Sequence, residues 1–328
     1  MSHNLLIQNG EASMFYVEEV PWHGLGTKLD KPATAEEAIT AAKLDWEVVK
    51  LPLYAGAARI KVPDRYAVVR KDGLIVDTKS PILGVVSKEY TPLQNHEAFG
   101  FFDPIVGQEA AIYHTAGALG QGERVWILAK LPSTMRVVGD DISEKYLLLC
   151  NSHDGKSAVQ IKFTLVRVVC QNTLTLAMND GPVWRVFHHQ DIHERLKEAN
   201  QMLGLIDTQF NTMEESFQAM ARVPMDANRL TEYLKEVYPD SEDPIKQPMA
   251  ERDRTWSQYF FDQGKGNRMP GVEGTLWAGF CGVTEWLDHH QTRQKQDQRL
   301  SSAWVGAAYR MKARAYSIAE EKLAEWLD

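Results

Sequence analysis

Histidine is the densest chemical signal in the chain. His188-His189-Gln190-Asp191-Ile192-His193 sets His189 and His193 four residues apart, one helical turn, with a carboxylate between them. Imidazole and carboxylate groups so arranged suit zinc, and with a metal they would define a hydrolase or nuclease. The run lacks the H-E-x-x-H order that supplies a general base beside two ligands, so it reads as the exposed start of a helix. Glu285, Asp288, His289 and His290 form a second group, Glu285 and His289 again four apart, and a site there needs a third ligand from elsewhere in the chain. Cys170 closes an apolar run with no histidine placed to activate it, which favours a structural thiol. His23 sits in the tight aromatic loop Pro21-Trp22-His23-Gly24-Leu25-Gly26 with no partner nearby. No catalytic residue, metal or cofactor is assigned.

Cations carry the better-supported chemistry. Between Lys156 and Arg185 the chain has Lys156, Lys162, Arg167 and Arg185 against a single acid, Asp180. From His289 to Tyr316 it has Arg293, Lys295, Arg299, Arg310, Lys312 and Arg314 against Asp297 alone, in a protein of net charge −8. Phosphate contacts need such donors, and single-stranded nucleic acid also needs aromatic or amide groups for stacking and base contact. Tyr90, Trp184 and Tyr309 are the aromatic candidates. The expected nucleic-acid-binding set is Lys156, Lys162, Arg167, Arg185, Arg310, Lys312 and Arg314; the plainer alternative is a solvated charged face.

The element that must position much of this set is Val159 to Met178. Val159, Ile161, Phe163 and Leu165 alternate with Gln160, Lys162 and Thr164, a period of two that makes a half-buried strand with Lys162 on its open face. Continuing the alternation puts Arg167 on the apolar side. Either a bulge near Val166 shifts the phase or the guanidinium is buried and paired, and the bulge is favoured because an inward unpaired charge costs more. Asn172 then reads as the N-cap of a helix over Thr173 to Met178 that Asn179-Asp180-Gly181-Pro182 stops.

Elsewhere, Thr34 and Glu37 make a capping box for a helix from Ala35 to Leu44. Strands follow over Trp46 to Leu53, Tyr66 to Arg70, Ile82 to Ser87, Ile112 to Ala118, Arg124 to Leu131 and Tyr146 to Asn151, with Lys71-Asp72-Gly73 and His153-Asp154-Gly155 as turns. One helix, Asn95 to Val106, interrupts them. From Gln190 the chain turns helical: Asp191 to Leu205 running on toward Ala221, Asp226 to Tyr238, Thr275 to Gln291 and Ser301 to Leu327. The fold class is therefore α+β, an antiparallel hairpin-rich sheet packed by helices and followed by a mostly helical C-terminal half. The domains are residues 1–189 and 190–328, with a proline-rich acidic hinge near 239–248 and a second glycine-rich loop at Asn267 to Gly274. There is no strand-helix-strand alternation and no phosphate-binding glycine loop.

At 328 residues, 44% hydrophobic and 24% charged, the chain is long enough to bury a substantial core. Its net charge of −8 argues against coating duplex DNA through bulk positive charge. Cys150, Cys170 and Cys281 make no disulfide framework, which points to a reducing compartment. The N-terminus has no basic and apolar leader pattern, and no apolar run is long enough to cross a bilayer. The expectation is a cytoplasmic protein without membrane contact.

Four separated stretches carry a resemblance: W-H-G-L-G at Trp22 to Gly26, V-S-K-E-Y-T-P-L-Q-N-H-E-A-F-G-F-F at Val86 to Phe102, V-R-V-V-C-Q-N-T-L at Val166 to Leu174, and G-T-L-W-A-G-F-C-G-V-T-E-W-L-D-H at Gly274 to His289. Together with Arg299 to Trp304 and Lys312 to Ala315, they resemble an uncharacterised family of phage and plasmid proteins over nearly the whole chain. Cys281 departs from that pattern, where the family leads one to expect asparagine. The resemblance implies a mobile-element setting and no catalytic residues. At the level of fold alone, a helix, a hairpin-rich sheet and a following helix are similar to single-strand annealing proteins. The expected function is single-stranded DNA binding, with RNA as a variant, by a homo-oligomer that anneals or protects the strand. The alternatives are a metal-dependent hydrolase or nuclease, and a host-interaction protein acting as inhibitor or structural component.

Overall fold

A computed structural model describes residues 5–18, 24–72, 82–106, 111–167, 169, 172–175, 184–201, 206–291 and 306–327. The chain forms two compact units that interleave along it: residues 1–132, 147–162 and 183–204 make up the first, and 133–146, 163–182 and 205–328 the second. Sequence alone suggests one cut at 189/190. The interleaving arises because long strands pass from one unit into the other.

The first unit opens with β1 (Ile7–Gln8) and β2 (Glu11–Ala12), joined through Asn9 and Gly10, both at positive φ (52° and 84°) as a tight hairpin turn demands. β3 (Met14–Val17) pairs in parallel with β4 (Thr27–Leu29), an exception to the antiparallel rule. α1 (Ala35–Ala41) starts at the capping box read from Thr34 and Glu37. β5 (Val48–Ala55), β6 (Ile60–Arg70) and β7 (Ile82–Ser87) make a separate three-stranded antiparallel sheet. The single helix expected over Asn95 to Val106 is two, α2 (Asn95–Gly100) and α3 (Asp103–Val106). Tyr113 OH sits at the break, 2.7 Å from Phe99 O and 2.8 Å from Asp103 Oδ1, and shares its one proton between these acceptors.

The main sheet continues with β8 (Ile112–Leu119), β9 (Arg124–Val138), β10 (Asp141–Ser152), β11 (Val159–Arg167), β12 (Asn172–Thr175) and β13 (Trp184–Val186). Strand order is β12-β11-β10-β9-β8-β3-β4, with β13 also on β11. Here the helix expected from Thr173 is corrected. Asn172–Thr175 is a strand, antiparallel to β11 from Thr164↔Thr175 to Arg167↔Asn172, so Asn172 is a ladder residue and not a cap. Residues 176–178 lie outside the described residues. That pairing is unbroken through Val166, so the expected bulge is absent from it; the side chain of Arg167 lies outside the described residues.

α4 (Ile192–Gln201) belongs to the first unit, while α5 (Ile206–Met220), α6 (Ala227–Val237), α7 (Lys246–Gln263), α8 (Leu276–Glu285) and α9 (Ala307–Trp326) build the second. Asp226 caps α6 as the sequence suggests, its carboxylate accepting from Asn228 N–H and Arg229 N–H, both at 2.9 Å. Of the 239–248 stretch, residues up to 245 form the short α6–α7 connection, and Pro248 lies in the first turn of α7, where a missing N–H costs nothing. Every residue of α8 is buried. Its core partners include Phe217, whose ring centroid lies 4.5 Å from that of Trp277, and Asp141, which accepts from Trp277 Nε1 at 2.7 Å. Gly282 permits the close approach of α7: a Cβ there would stand 2.8 Å from Ser257 O and Phe261 N. Among the described residues no helix is long and apolar enough to cross a membrane.

Candidate functional site

The structure sorts the expected phosphate-binding cations into two kinds. Lys156, at the β10–β11 turn, and Arg185, on β13 in register with Gln160, are exposed. Lys156 lies 4.0 Å from Asp154 Oδ2, and Arg185 has no carboxylate within ion-pair distance among the described residues. In the second unit, Arg310 and Arg314 are exposed on α9, and Arg314 donates to Glu236 O at 2.9 Å.

Lys162 and Lys312 correct the expectation. Lys162 is only 2% exposed, because β11 is covered on both faces: Gln160 aside, its residues from Val159 to Leu165 are all buried. Burial pushes its ammonium down to about 8; the neighbouring Cys150 opposes that shift and Arg185 adds to it. Alternation in sequence marks two faces, but not which of them meets water. Lys312 is fully buried on α9 and bonds Asp288 Oδ1 at 2.7 Å, so it serves the interior of the second unit. The aromatic candidates turn inward too, Tyr90 and Tyr309 being buried, while the side chain of Trp184 lies outside the described residues.

One buried polar cluster centres on residues that read in sequence only as a turn. His153-Asp154-Gly155 follows β10, and His153 and Asp154 are buried beneath the loop from β7 to α2, which carries the Val86 to Phe102 motif. Asn95 Nδ2 donates to Leu44 O at 2.9 Å and to Trp46 O at 3.3 Å, which turns its Oδ1 toward His153 Nε2, 3.1 Å away. Asn151 donates to Leu93 O at 3.0 Å, and Tyr90 OH to Ser152 O at 2.8 Å. Gln94 closes the edge of β5, its amide bonding Val48 N–H and Val48 O at 3.0 Å each. Gly84 in β7 leaves room for this turn, since a Cβ there would come within 2.5 Å of Asp154 Cα. The conspicuous spacing of the motif therefore encodes a latch of polar side chains on backbone groups. Its trace in the sequence is the cluster Tyr90, Gln94 and Asn95.

His188 joins that latch and leaves the metal-like run: its ring stacks on Tyr90 and its Nδ1 bonds Thr91 O at 3.1 Å. His189 and His193 are exposed, and His193 Nε2 lies 3.8 Å from Glu97 Oε1. In the second group, Glu285 is buried and accepts from Lys265 N–H at 2.9 Å. His290 stacks on Phe260 at 4.3 Å, within the turn of π-helix (Trp286–His290) that ends α8. Among the described residues no three His, Cys, Asp or Glu side chains are grouped to hold a metal ion. Cys170 and His23 lie outside the described residues.

Fold and cluster together define an α+β protein whose Val86 to Phe102 motif builds a buried polar latch. The chain belongs to the family described as Domain of unknown function (DUF932), whose profile matches residues 82–304. Three of the four motifs, at Val86 to Phe102, Val166 to Leu174 and Gly274 to His289, lie inside that span. The chain is also similar to UPF0380 protein YafZ of Escherichia coli (strain K12), at 34% identity over 102 residues, 31% of this chain and 35% of that protein. The match thus spans about a third of the length of YafZ. No solved structure matches the chain.

Proposed function

We propose that this is a single-stranded nucleic-acid-binding protein of a phage or plasmid, cytoplasmic and homo-oligomeric, that anneals or protects the strand. The observation that carries the reading is Arg185: an exposed guanidinium on the main sheet, free of carboxylates among the described residues, in a chain of net charge −8. Lys156 on the first unit and Arg310 and Arg314 on the second are the further exposed donors. Phosphate binding through such groups is salt-sensitive, each neutralised phosphate steepening the fall of affinity with salt.

Fluorescence anisotropy with a labelled oligonucleotide tests the proposal. The wild type binds at low salt, and Lys156→Ala with Arg185→Ala loses more affinity than an exposed control pair such as Lys28→Ala with Lys31→Ala. Absence of binding by the wild type at low salt overturns it. The particle mass in solution, measured with and without single-stranded DNA, tests assembly at the same time.

A further inference from the structure

The β5–β6 hairpin runs on beyond the sheet that carries it. β6 pairs β7 between Arg65↔Ser87 and Val69↔Ile82, whereas β5 and β6 are still paired at Tyr54↔Lys61 and Ala55↔Ile60. Residues 53–64 are therefore a two-stranded arm, with Arg65 at its base. Its tip is closed by Gly56 to Arg59, with Arg59 N–H donating to Gly56 O at 3.1 Å. Lower down, the register shifts between Pro52 and Tyr54, and Asp64 on the facing strand takes a φ of 52°. Lys88, from the loop after β7, holds Asp64 at 3.7 Å.

What the arm exposes has a definite chemistry. Tyr54 is 49% exposed and Ile60 67%, and Arg59, Lys61 and Arg65 are all exposed. Residues directly opposite in a ladder share a face, so Tyr54 and Lys61 stand side by side. The Arg59 guanidinium lies over the Tyr54 ring, 5.5 Å from its centre. None of Arg59, Lys61 and Arg65 has a carboxylate within ion-pair distance among the described residues, and the arm's own acid, Asp64, is already taken by Lys88. A solvent-facing aromatic ring with a guanidinium over one face and a lysine beside it complements a nucleotide: the other face of the ring stacks a base of any identity and the cations meet the flanking phosphates. Duplex DNA presents no such base face.

We infer that the β5–β6 arm is a single-stranded nucleic-acid contact, with Tyr54 stacking a base, Arg59 and Lys61 taking the adjacent phosphates and Arg65 meeting the strand further along. The inference rests on the function proposed above and adds binding residues distinct from Lys156, Arg185, Arg310 and Arg314. All four of these arm side chains are exposed, so their removal leaves the fold intact, as circular dichroism will report.

The test is anisotropy of a labelled oligothymidylate with the full chain across a salt series. Arg59→Ala with Lys61→Ala lowers affinity and flattens the slope of log K against log salt by about 1.4, at about 0.7 for each single-strand phosphate that is no longer neutralised. Tyr54→Ala weakens binding about ten-fold at unchanged slope, and Tyr54→Trp restores it. If the wild type binds and the arm variants match it, the arm assignment fails while the proposed function stands. If the wild type does not bind, both fail. Binding to a blunt duplex that exceeds binding to the single strand and is lost equally in these variants overturns the single-strand assignment. Loss of self-association in Tyr54→Ala with oligonucleotide affinity unchanged reassigns the arm to a subunit interface and overturns the inference.

Discussion

His188 stacks on Tyr90 with ring centroids 4.6 Å apart and planes 23° from parallel, while its Nδ1 bonds Thr91 O at 3.1 Å. A carbonyl can only accept, so Nδ1 carries the proton and Nε2, buried with no hydrogen-bond partner among the described residues, is a bare lone pair. His153 has the same design in mirror: Nε2 is protonated toward Asn95 Oδ1 and Nδ1 is bare. Both rings are held neutral. Two histidines far apart in sequence thus brace one latch as uncharged aromatic spacers.

Acid therefore destabilises this protein through these two groups. Burial, the largest cause, lowers His153 from 6.5 to about 3; His188 and Arg70 lower it further, and Asp154 opposes them. Burial likewise lowers His188 from 6.5 to about 4, with Thr91 O and Asp154 opposing and His189 adding. Below pH 6.5 the unfolded chain takes up protons that the folded rings refuse, so stability is full above that value and falls as pH drops toward 4. Each ring contributes up to about 1.4 kcal/mol per pH unit in that window. Urea midpoints measured in steps through the window should fall on acidification. His188→Phe keeps the stack but cannot titrate, and its profile should be flatter than that of the wild type.

Asn95 is the hinge pin of the same latch. Its amide serves Leu44 O, Trp46 O and His153 Nε2 at once, all in a buried setting. Asn95→Ala strands those partners without water and should cost about 3 kcal/mol, read as a shift in denaturant midpoint at constant m. Asn95→Asp replaces the donor with a carboxylate that repels both carbonyls, and it should be no better tolerated.

Sequence makes some of this legible and hides the rest for identifiable reasons. Caps are readable at Thr34 and Asp226 because they are local, a side chain satisfying a backbone N–H two or three residues on. The strands β7 and β8 are readable as short runs close to the expected extents, Ile82 to Ser87 and Ile112 to Ala118. Lys162 is misplaced by the same reading because a period of two says nothing about a second covering layer, and a lysine can lie buried when its environment holds the ammonium or lowers its pKa. β12 looks helical because Asn172 suits a cap as well as a ladder position, and only its pairing with Arg167 decides. α7 gives no clean amphipathic signal: Phe260 and Asp253 on its inner side are buried, yet Trp256 and Tyr259 on its outer side are 42% and 51% exposed. The latch itself depends on the bond between Asn95 and His153, 58 positions apart, which no window of sequence contains.

Gly282 offers a sharper test of the second unit. The two atoms that a Cβ would meet at 2.8 Å, Ser257 O and Phe261 N, are backbone atoms of α7 and cannot rotate away. Gly282→Ala should therefore push the two helices apart at the cost of about 2 kcal/mol or more, although alanine is the better helix former by about 1 kcal/mol. A stabilised variant, seen as a raised thermal midpoint, would refute the close packing of α7 on α8.

The pair of Lys312 and Asp288 decides whether the basic character of α9 serves binding or architecture. Their side chains are 0% and 5% exposed, and Nζ lies 2.7 Å from Oδ1. Removing one partner of a buried pair weakens the compensation of the other's charge, typically at up to about 3–5 kcal/mol, whereas exchanging both for apolar groups of similar volume restores much of the loss. Lys312→Met should accordingly destabilise strongly, Asp288→Leu similarly, and the double variant much less than the two losses added. A double-mutant cycle in urea measures this directly. A coupling near zero would mean that other neighbours hold the two charges. A folded double variant that binds oligonucleotide as the wild type does would assign Lys312 to architecture and leave Arg310 and Arg314 as its neighbours on α9 that can reach a phosphate.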